Sequence, residues 1–230
     1  MNLIKSIVFN FLIFTMIAIS CIIALPLLIL PRKYFLSKLV YFLGWYFLRV
    51  TKLIYNINVE ILGFENLKKY KNFIIASAHQ SMFETFVFNY LVPDAFFVIK
   101  KELLFIPFYN LYLKKLGYIR IERKKITKKK LNFYKNISHN ILNGKRKLII
   151  FPHGTRVAAD KEYPIKKGVY RIYKSLNIPC IPVYLNSGKF WPRNSFLKYP
   201  SKIKFVFKDP ILQGLEINDF LDKLSKEIHY

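Results

Sequence analysis

The 230-residue chain has room for one α/β domain plus a short extension, and its net charge of +25 calls for anionic partners: nucleic acid, phospholipid headgroups or phosphorylated small molecules. Hydrophobic residues make up 53% of the chain beside that excess of lysine, which argues against a freely soluble nucleic-acid binder and for a basic protein seated on a membrane. Two cysteines, Cys21 inside an apolar segment and Cys180 ahead of a strand, argue against a disulfide framework and fit a reducing compartment.

The first element is Ser6 to Leu30, uncharged and mostly Ile, Leu, Phe and Val. As a helix it extends roughly 37 Å, enough to cross a bilayer with some tilt, and Pro26 either kinks it or marks a re-entrant dip. A cleaved signal peptide is the rival reading, against which the apolar core is too long. After Arg32-Lys33, Tyr34 to Val50 mixes Phe, Tyr, Trp45 and Leu with Lys38 and Arg49. That mixture suits an interfacial helix or a second embedded one. Basic residues flank both ends of the first segment, so charge counting leaves orientation open. Residues 1–54 are thus the membrane-embedded part and 55–230 an α/β domain.

From Tyr55 onward, strand-like and helix-like runs alternate. Strands are predicted over Ile57–Leu62, Phe73–Ala76, Phe96–Ile99, Tyr118–Ile121, Leu148–Phe151, Ile181–Leu185 and Ile203–Phe207. Helices are predicted over Ser81–Tyr90, Pro107–Lys115, Thr127–Asn143, Lys167–Leu176 and Ile217–Ile228. Such alternation predicts an open, largely parallel sheet with covering helices. The basic run Lys124 to Lys130 is a solvated face or one turned to anionic lipid.

The most informative stretch is Ser77-Ala78-His79-Gln80-Ser81-Met82-Phe83-Glu84-Thr85, between a buried strand and an aromatic helix. His79 with Glu84 is a candidate base and orienter. Five helical positions turn about 140°, so the two meet only if His79 sits in the loop and Glu84 in the first helical turn. Ser81-Met82-Phe83-Glu84 is also a capping box, in which Ser81 caps the helix and Glu84 reaches back to the Ser81 N–H. The two roles are compatible, because one carboxylate oxygen can cap while the other accepts from imidazole.

Further blocks stand at predicted strand ends. Phe151-Pro152-His153-Gly154-Thr155-Arg156 forms a tight turn, and open α/β sheets bind ligands at such ends. Its Gly154, Thr155 and Arg156 suit a phosphate, with Arg156 offering a planar fork. Gly117 to Glu122 and Arg123 carries two more guanidiniums, on Arg120 and Arg123, and Lys100-Lys101 follows another strand. Basic groups therefore recur on the side of the sheet where His79 emerges.

Taken together, His79 with Glu84, Gly117 to Arg123, Phe151 to Arg156 and Ile178-Pro179-Cys180-Ile181-Pro182-Val183 resemble the four ordered blocks of the 1-acyl-glycerol-3-phosphate acyltransferase (lysophosphatidate acyltransferase) family. The resemblance spans roughly Leu62 to Pro210. Two positions depart from the family pattern: Glu84 stands where Asp is common, and His153 where Glu is usual. The resemblance implies acyl transfer from acyl carrier protein or coenzyme A thioesters to the sn-2 hydroxyl of lysophosphatidate, giving phosphatidate. It needs no metal or other cofactor. His79 would take the hydroxyl proton, Glu84 would hold the ring, and Arg156, Arg120, Arg123, Lys101, Thr155 and Gly154 would hold the phosphate. Backbone N–H groups near Gly154 or after His79 are the candidate oxyanion donors. No acyl-enzyme is expected, since Ser81 is occupied as a cap. Because thioester donors are cytosolic, the domain is expected on the cytosolic face of the cell (inner) membrane, against an anionic bilayer surface. The alternatives are a same-fold acyltransferase for another lyso-lipid, such as lyso-ornithine lipid, and a non-catalytic basic membrane-surface protein. No nucleic-acid signature, Gly-x-Ser-x-Gly elbow, phosphate loop or His-Glu-x-x-His motif is present, so no nucleic-acid partner is expected.

Overall fold

The structure is a computed structural model and describes residues 2–29, 34–100, 109–121, 128–144 and 146–229. Seven strands form one sheet: β1 (Val59–Leu62), β2 (Ile74–Ser77), β3 (Phe96–Lys100), β4 (Ile119–Ile121), β5 (Leu148–Ile150), β6 (Cys180–Leu185) and β7 (Ile203–Phe207). Their spatial order is β1-β7-β6-β2-β5-β3-β4. Every neighbouring pair is parallel except β6 with β7. The open, largely parallel sheet expected from the alternation is therefore the fold. Central strands β2 and β5 are buried along their whole length, which is why they are continuous apolar runs rather than alternating ones.

Side chains of successive strand residues feed two separate layers. Ile75, Ile149 and Ile181 face a cluster built with helices α1 (Asn2–Ala24), α2 (Tyr34–Tyr55) and α3 (Phe83–Leu91). Ile74, Leu148 and Cys180 face the opposite layer, covered by α5 (Lys128–Ser138), α6 (Gly168–Leu176) and α8 (Ile217–His229). The described chain also forms two short helices, α4 (Tyr109–Lys115) and α7 (Ser187–Phe190), and a 3₁₀ turn at Phe64–Lys68. The sequence pattern missed α7, whose four residues are too few to show a helical period.

The N-terminal segment differs from expectation in its boundaries. The first helix covers Asn2–Ala24, and Pro26–Leu28 forms a separate 3₁₀ turn with Pro26 in its first turn. Proline lacks the N–H that would continue the ladder, so Pro26 ends the helix instead of kinking it. Its buried positions Ser6, Phe9, Asn10, Ile13, Ser20 and Ala24 make one stripe that docks on the domain. Polar contacts set how it docks: the Ser6 and Tyr55 hydroxyls are 2.9 Å apart, and the buried Lys198 ammonium donates to Asn10 Oδ1 at 2.7 Å. Away from that stripe, Leu3, Ile4, Ile7, Phe11, Ile22 and Ile23 are exposed. By length and composition α1 could cross a membrane. The next helix runs past the expected Val50 to Tyr55 and packs closely on α3. A Cβ at Gly44 would lie 2.6 Å from the Phe86 carbonyl oxygen, so only glycine permits that approach. Phe47 stacks on Phe86 at a 4.5 Å centroid distance, a contact contributing about 0.5–1.5 kcal/mol beyond burial.

The predicted Thr127–Asn143 helix is interrupted, since α5 gives way to a π-helical turn at His139–Asn143; Thr127 itself lies outside the described residues.

Candidate active site

Five parallel neighbours, β6-β2-β5-β3-β4, bring the C-terminal ends of their strands to one rim of the sheet. His79 follows β2, near the middle. The chain leaves the strand at Ser77, turns through Ala78–Met82 and enters α3 at Phe83. That places His79 in the loop and Glu84 in the first helical turn, the arrangement in which the pair can meet. His79 Nδ1 donates to Glu84 Oε1 at 2.7 Å.

Glu84 is fully buried and its carboxylate is saturated. Oε1 accepts from His79 Nδ1 and from the backbone N–H groups of Gln80 and Ser81, at 2.7 and 2.8 Å for the latter two. Oε2 accepts from the Ser81 hydroxyl at 3.0 Å and the Ser187 hydroxyl at 2.6 Å. The division of labour expected from the sequence is corrected here. One oxygen both caps and orients the imidazole, because the Gln80 and Ser81 N–H groups and Nδ1 converge on the same side of the carboxylate. The other oxygen serves two hydroxyls. The helix cap falls on Met82, one residue later than expected, while Ser81 Oγ accepts from the Phe83 N–H at 3.0 Å and so satisfies the first donor of α3. Burial alone would push the Glu84 carboxyl up. The His79 hydrogen bond and charge, the Ser187 hydroxyl and the Ser81 N–H outweigh it and hold the group below its ordinary value.

Phe151, from the block after β5, stacks on the His79 ring at 4.3 Å and 17°. The Val157 N–H donates to the His79 carbonyl at 2.7 Å, tying the two blocks together through their backbones. With Nδ1 committed to Glu84, Nε2 carries no hydrogen bond among the described residues, and the side chain keeps 24% of its surface exposed. An imidazole so placed can take a proton from a bound hydroxyl while the buried carboxylate balances the charge that develops.

Arg156 and Thr155 lie on the same loop, both half-buried, after Gly154 turns the chain at φ 68°. The Arg156 side chain makes no hydrogen bond or ion pair among the described residues, and its carbonyl accepts from Arg193 at 2.9 Å. Arg120 lies on β4, paired with Ile99 of β3. Strand spacing puts β4 about 14 Å from β2 across the sheet, whereas Arg156 lies on the loop that follows β5, the strand adjacent to β2. Arg123 and Lys101 lie outside the described residues. Three of the backbone donors considered for an oxyanion are otherwise engaged. Gly154 N–H donates to the Phe151 carbonyl, and the Gln80 and Ser81 N–H groups are spent on Glu84.

His153 is buried against His229 and Tyr163, at ring distances of 5.3 and 6.3 Å. Burial, then the neighbouring His229 charge, push it down to about 4, so it is neutral at physiological pH. Among the described residues no three His, Cys, Asp or Glu side chains cluster as metal ligands.

Sequence reasoning missed Ser187, Gln80 and Phe151 as parts of the site. Ser187 lies 103 residues from Glu84, and no local pattern could have joined them. Phe151 was visible only as the first residue of the Phe151–Arg156 block, with nothing to show that its ring meets His79.

Comparison with known proteins gives this rim its context. The sequence profile described as Acyltransferase matches residues 58–186. The chain is 31% identical over 157 residues to the 1-acyl-sn-glycerol-3-phosphate acyltransferase of Pseudomonas aeruginosa, covering 68% of this chain and 60% of that protein. It is 31% identical over 144 residues to the enzyme of the same name from Saccharomyces cerevisiae, covering 61% of this chain and 47% of the yeast protein. The matched region thus spans about half to three-fifths of those relatives' length. In three dimensions the chain resembles the 1-acyl-sn-glycerophosphate (LPA) acyltransferase PlsC from Thermotoga maritima, with TM-score 0.74 at 19% identity, over 98% of this chain and 95% of that one. The matched profile runs from the start of β1 through the loop holding His79 and Glu84 to the end of β6, and on that evidence the chain belongs to the acyltransferase family.

Proposed function

We infer that this protein transfers a fatty acyl group from a thioester, on acyl carrier protein or coenzyme A, to the free sn-2 hydroxyl of lysophosphatidate, giving phosphatidate. Its matched relatives carry the name of that activity, and the reading rests above all on His79 Nδ1 held by a buried carboxylate at 2.7 Å while Nε2 is left uncommitted. Nε2 takes the proton of the acceptor hydroxyl as its oxygen attacks the thioester carbonyl. Collapse of the tetrahedral intermediate breaks the C–S bond, and the departing thiolate takes the proton back from the imidazolium. Base catalysis of this kind supplies roughly 10²–10⁴-fold. The Arg156 fork, with the Thr155 hydroxyl, holds the acceptor phosphate and so orients the hydroxyl, while Gly154 turns the loop that presents them. No acyl-enzyme forms, because the Ser81 hydroxyl is tied to Glu84 and the Phe83 N–H. Beyond the thioester co-substrate the reaction as read uses no metal or cofactor.

The first 54 residues seat the catalytic domain on the membrane. Exposed Phe11, Ile22 and Ile23 on α1, with Phe42 and Trp45 on α2, support that role, and they keep the acceptor's acyl chain near the bilayer. The site faces the cytosolic side, where thioester donors are made, with lysines against anionic lipid. The test is an assay of purified protein with lysophosphatidate and lyso-ornithine lipid, each offered acyl carrier protein and coenzyme A thioesters. Phosphatidate is the expected product. Acylation of lyso-ornithine lipid alone would refute the acceptor assignment, and no transfer to either would refute the enzymatic reading.

A further inference from the structure

We propose that Ser187 is a positioning residue of the dyad, its hydroxyl clamping Glu84 Oε2 so that Oε1 stays aimed at His79 Nδ1. The inference rests on the acyl-transfer reading of the site and adds a third member to it from the far side of the chain. The Ser187 bond, at 2.6 Å, is the shortest of the five that the carboxylate accepts, and Ser187 is fully buried.

The corner carrying Ser187 is fixed on both sides. Asn186, just before it, donates through Nδ2 to the Lys202 carbonyl and accepts from the Lys204 N–H, both at 2.9 Å. Gly188, just after it, donates its N–H to Gln80 Oε1 at 2.9 Å, while Gln80 Nε2 donates to the Leu185 carbonyl at 3.0 Å. A Cβ at Gly188 would lie 3.1 Å from Gln80 Cβ, so the corner packs tightly against the His79 loop there. Gln80 therefore joins the two ends of the site twice, and Ser187 is delivered between those joints with no slack. A hydroxyl in so rigid a seat fixes the rotation of the carboxylate and drains charge from it. His79 is the only titratable group that hydrogen-bonds the Glu84 carboxylate among the described residues; α7 brings it the Ser187 hydroxyl, and its one cation, Lys189, makes no hydrogen bond or ion pair with it.

Ser187→Ala tests this. Without the hydroxyl, the Glu84–His79 pair binds a proton more readily, so the acid limb of the kcat profile moves to higher pH by roughly half to one unit. The plateau kcat falls less than tenfold, since Ser81 still holds Oε2, and KM for both substrates is unchanged. In parallel, the proton NMR resonance of the Nδ1–H···Oε1 bond, identified by its loss in His79→Ala, moves downfield as the carboxylate becomes more basic. An acid limb and a resonance both unmoved in a folded Ser187→Ala protein would overturn the proposal, whatever happens to the plateau rate. A wild-type protein that transfers no acyl group would refute the acyl-transfer reading instead, and the resonance would still decide the role of Ser187.

Discussion

Replacing Glu84 by Gln isolates the charge of the carboxylate from its hydrogen bonds. The Gln80 and Ser81 N–H groups point at Oε1 and demand an acceptor there, so the amide is forced to place its oxygen in that position. Nδ1–H of His79 keeps its partner and the imidazole keeps its tautomer. The new NH₂ falls opposite the Ser81 and Ser187 hydroxyls, which can rotate to accept from it. What is lost is the negative charge that stabilises the imidazolium. Exchanging an acidic partner for its amide in a hydrolase triad costs about 10⁴-fold where the tautomer is also wrong. Here the tautomer is preserved, so kcat should fall by about 10²–10³-fold with KM little changed. Glu84→Ala serves as the contrast, because it leaves five donors facing a buried void. At about 1–3 kcal/mol for each unmet group, summed with incomplete additivity, it should destabilise the fold by about 3–5 kcal/mol and lower Tm by roughly 10 °C, against a few degrees for the amide. The assay is initial-rate acyl transfer to lysophosphatidate in detergent, with thermal unfolding of each variant. A Glu84→Gln protein with kcat within about threefold of wild type would refute the dyad.

Arg156→Ala should raise KM for lysophosphatidate by about 10–100-fold while leaving kcat and thermal stability near wild type, since the guanidinium makes no hydrogen bond or ion pair among the described residues; a change confined to kcat would remove it from the phosphate site. His153, held neutral and pushed down to about 4, makes stability depend on acidity. As pH falls below 6.5 the unfolded chain takes up this proton first, so stability present above 6.5 is lost progressively down to about pH 4, amounting to roughly 3 kcal/mol. Urea midpoints measured between pH 7 and 4.5 should therefore fall less for His153→Leu than for wild type, and parallel curves would show that the imidazole does not contribute.

All seven strands were legible in the chain as short runs rich in β-branched and aromatic residues, alternating in burial in β7 and continuous in β2 and β5, which are buried on both faces. The pairing of His79 with Glu84 was legible for a different reason. It is local, a five-residue separation in which a capping geometry and a base-orienter geometry coincide. The exact end of α1 was not, since the apolar run continues to Leu30 although proline chemistry stops the helix before Pro26.

Composition and local pattern alone determined the alternation of elements, the basic and apolar character, the loop-then-helix placement of the dyad and the guanidinium at Arg156. These are properties of neighbours along the chain, and short-range sterics and capping decide them. Only the tertiary structure decided the order of the strands, which oxygen of Glu84 meets the imidazole, the stacking of Phe151 on His79 and the arrival of Ser187 from the end of β6. Parallel strands are joined by crossovers, so the groups gathered at their ends come from distant parts of the chain. Whether two such groups touch depends on register and packing, which leave no periodic trace in the sequence.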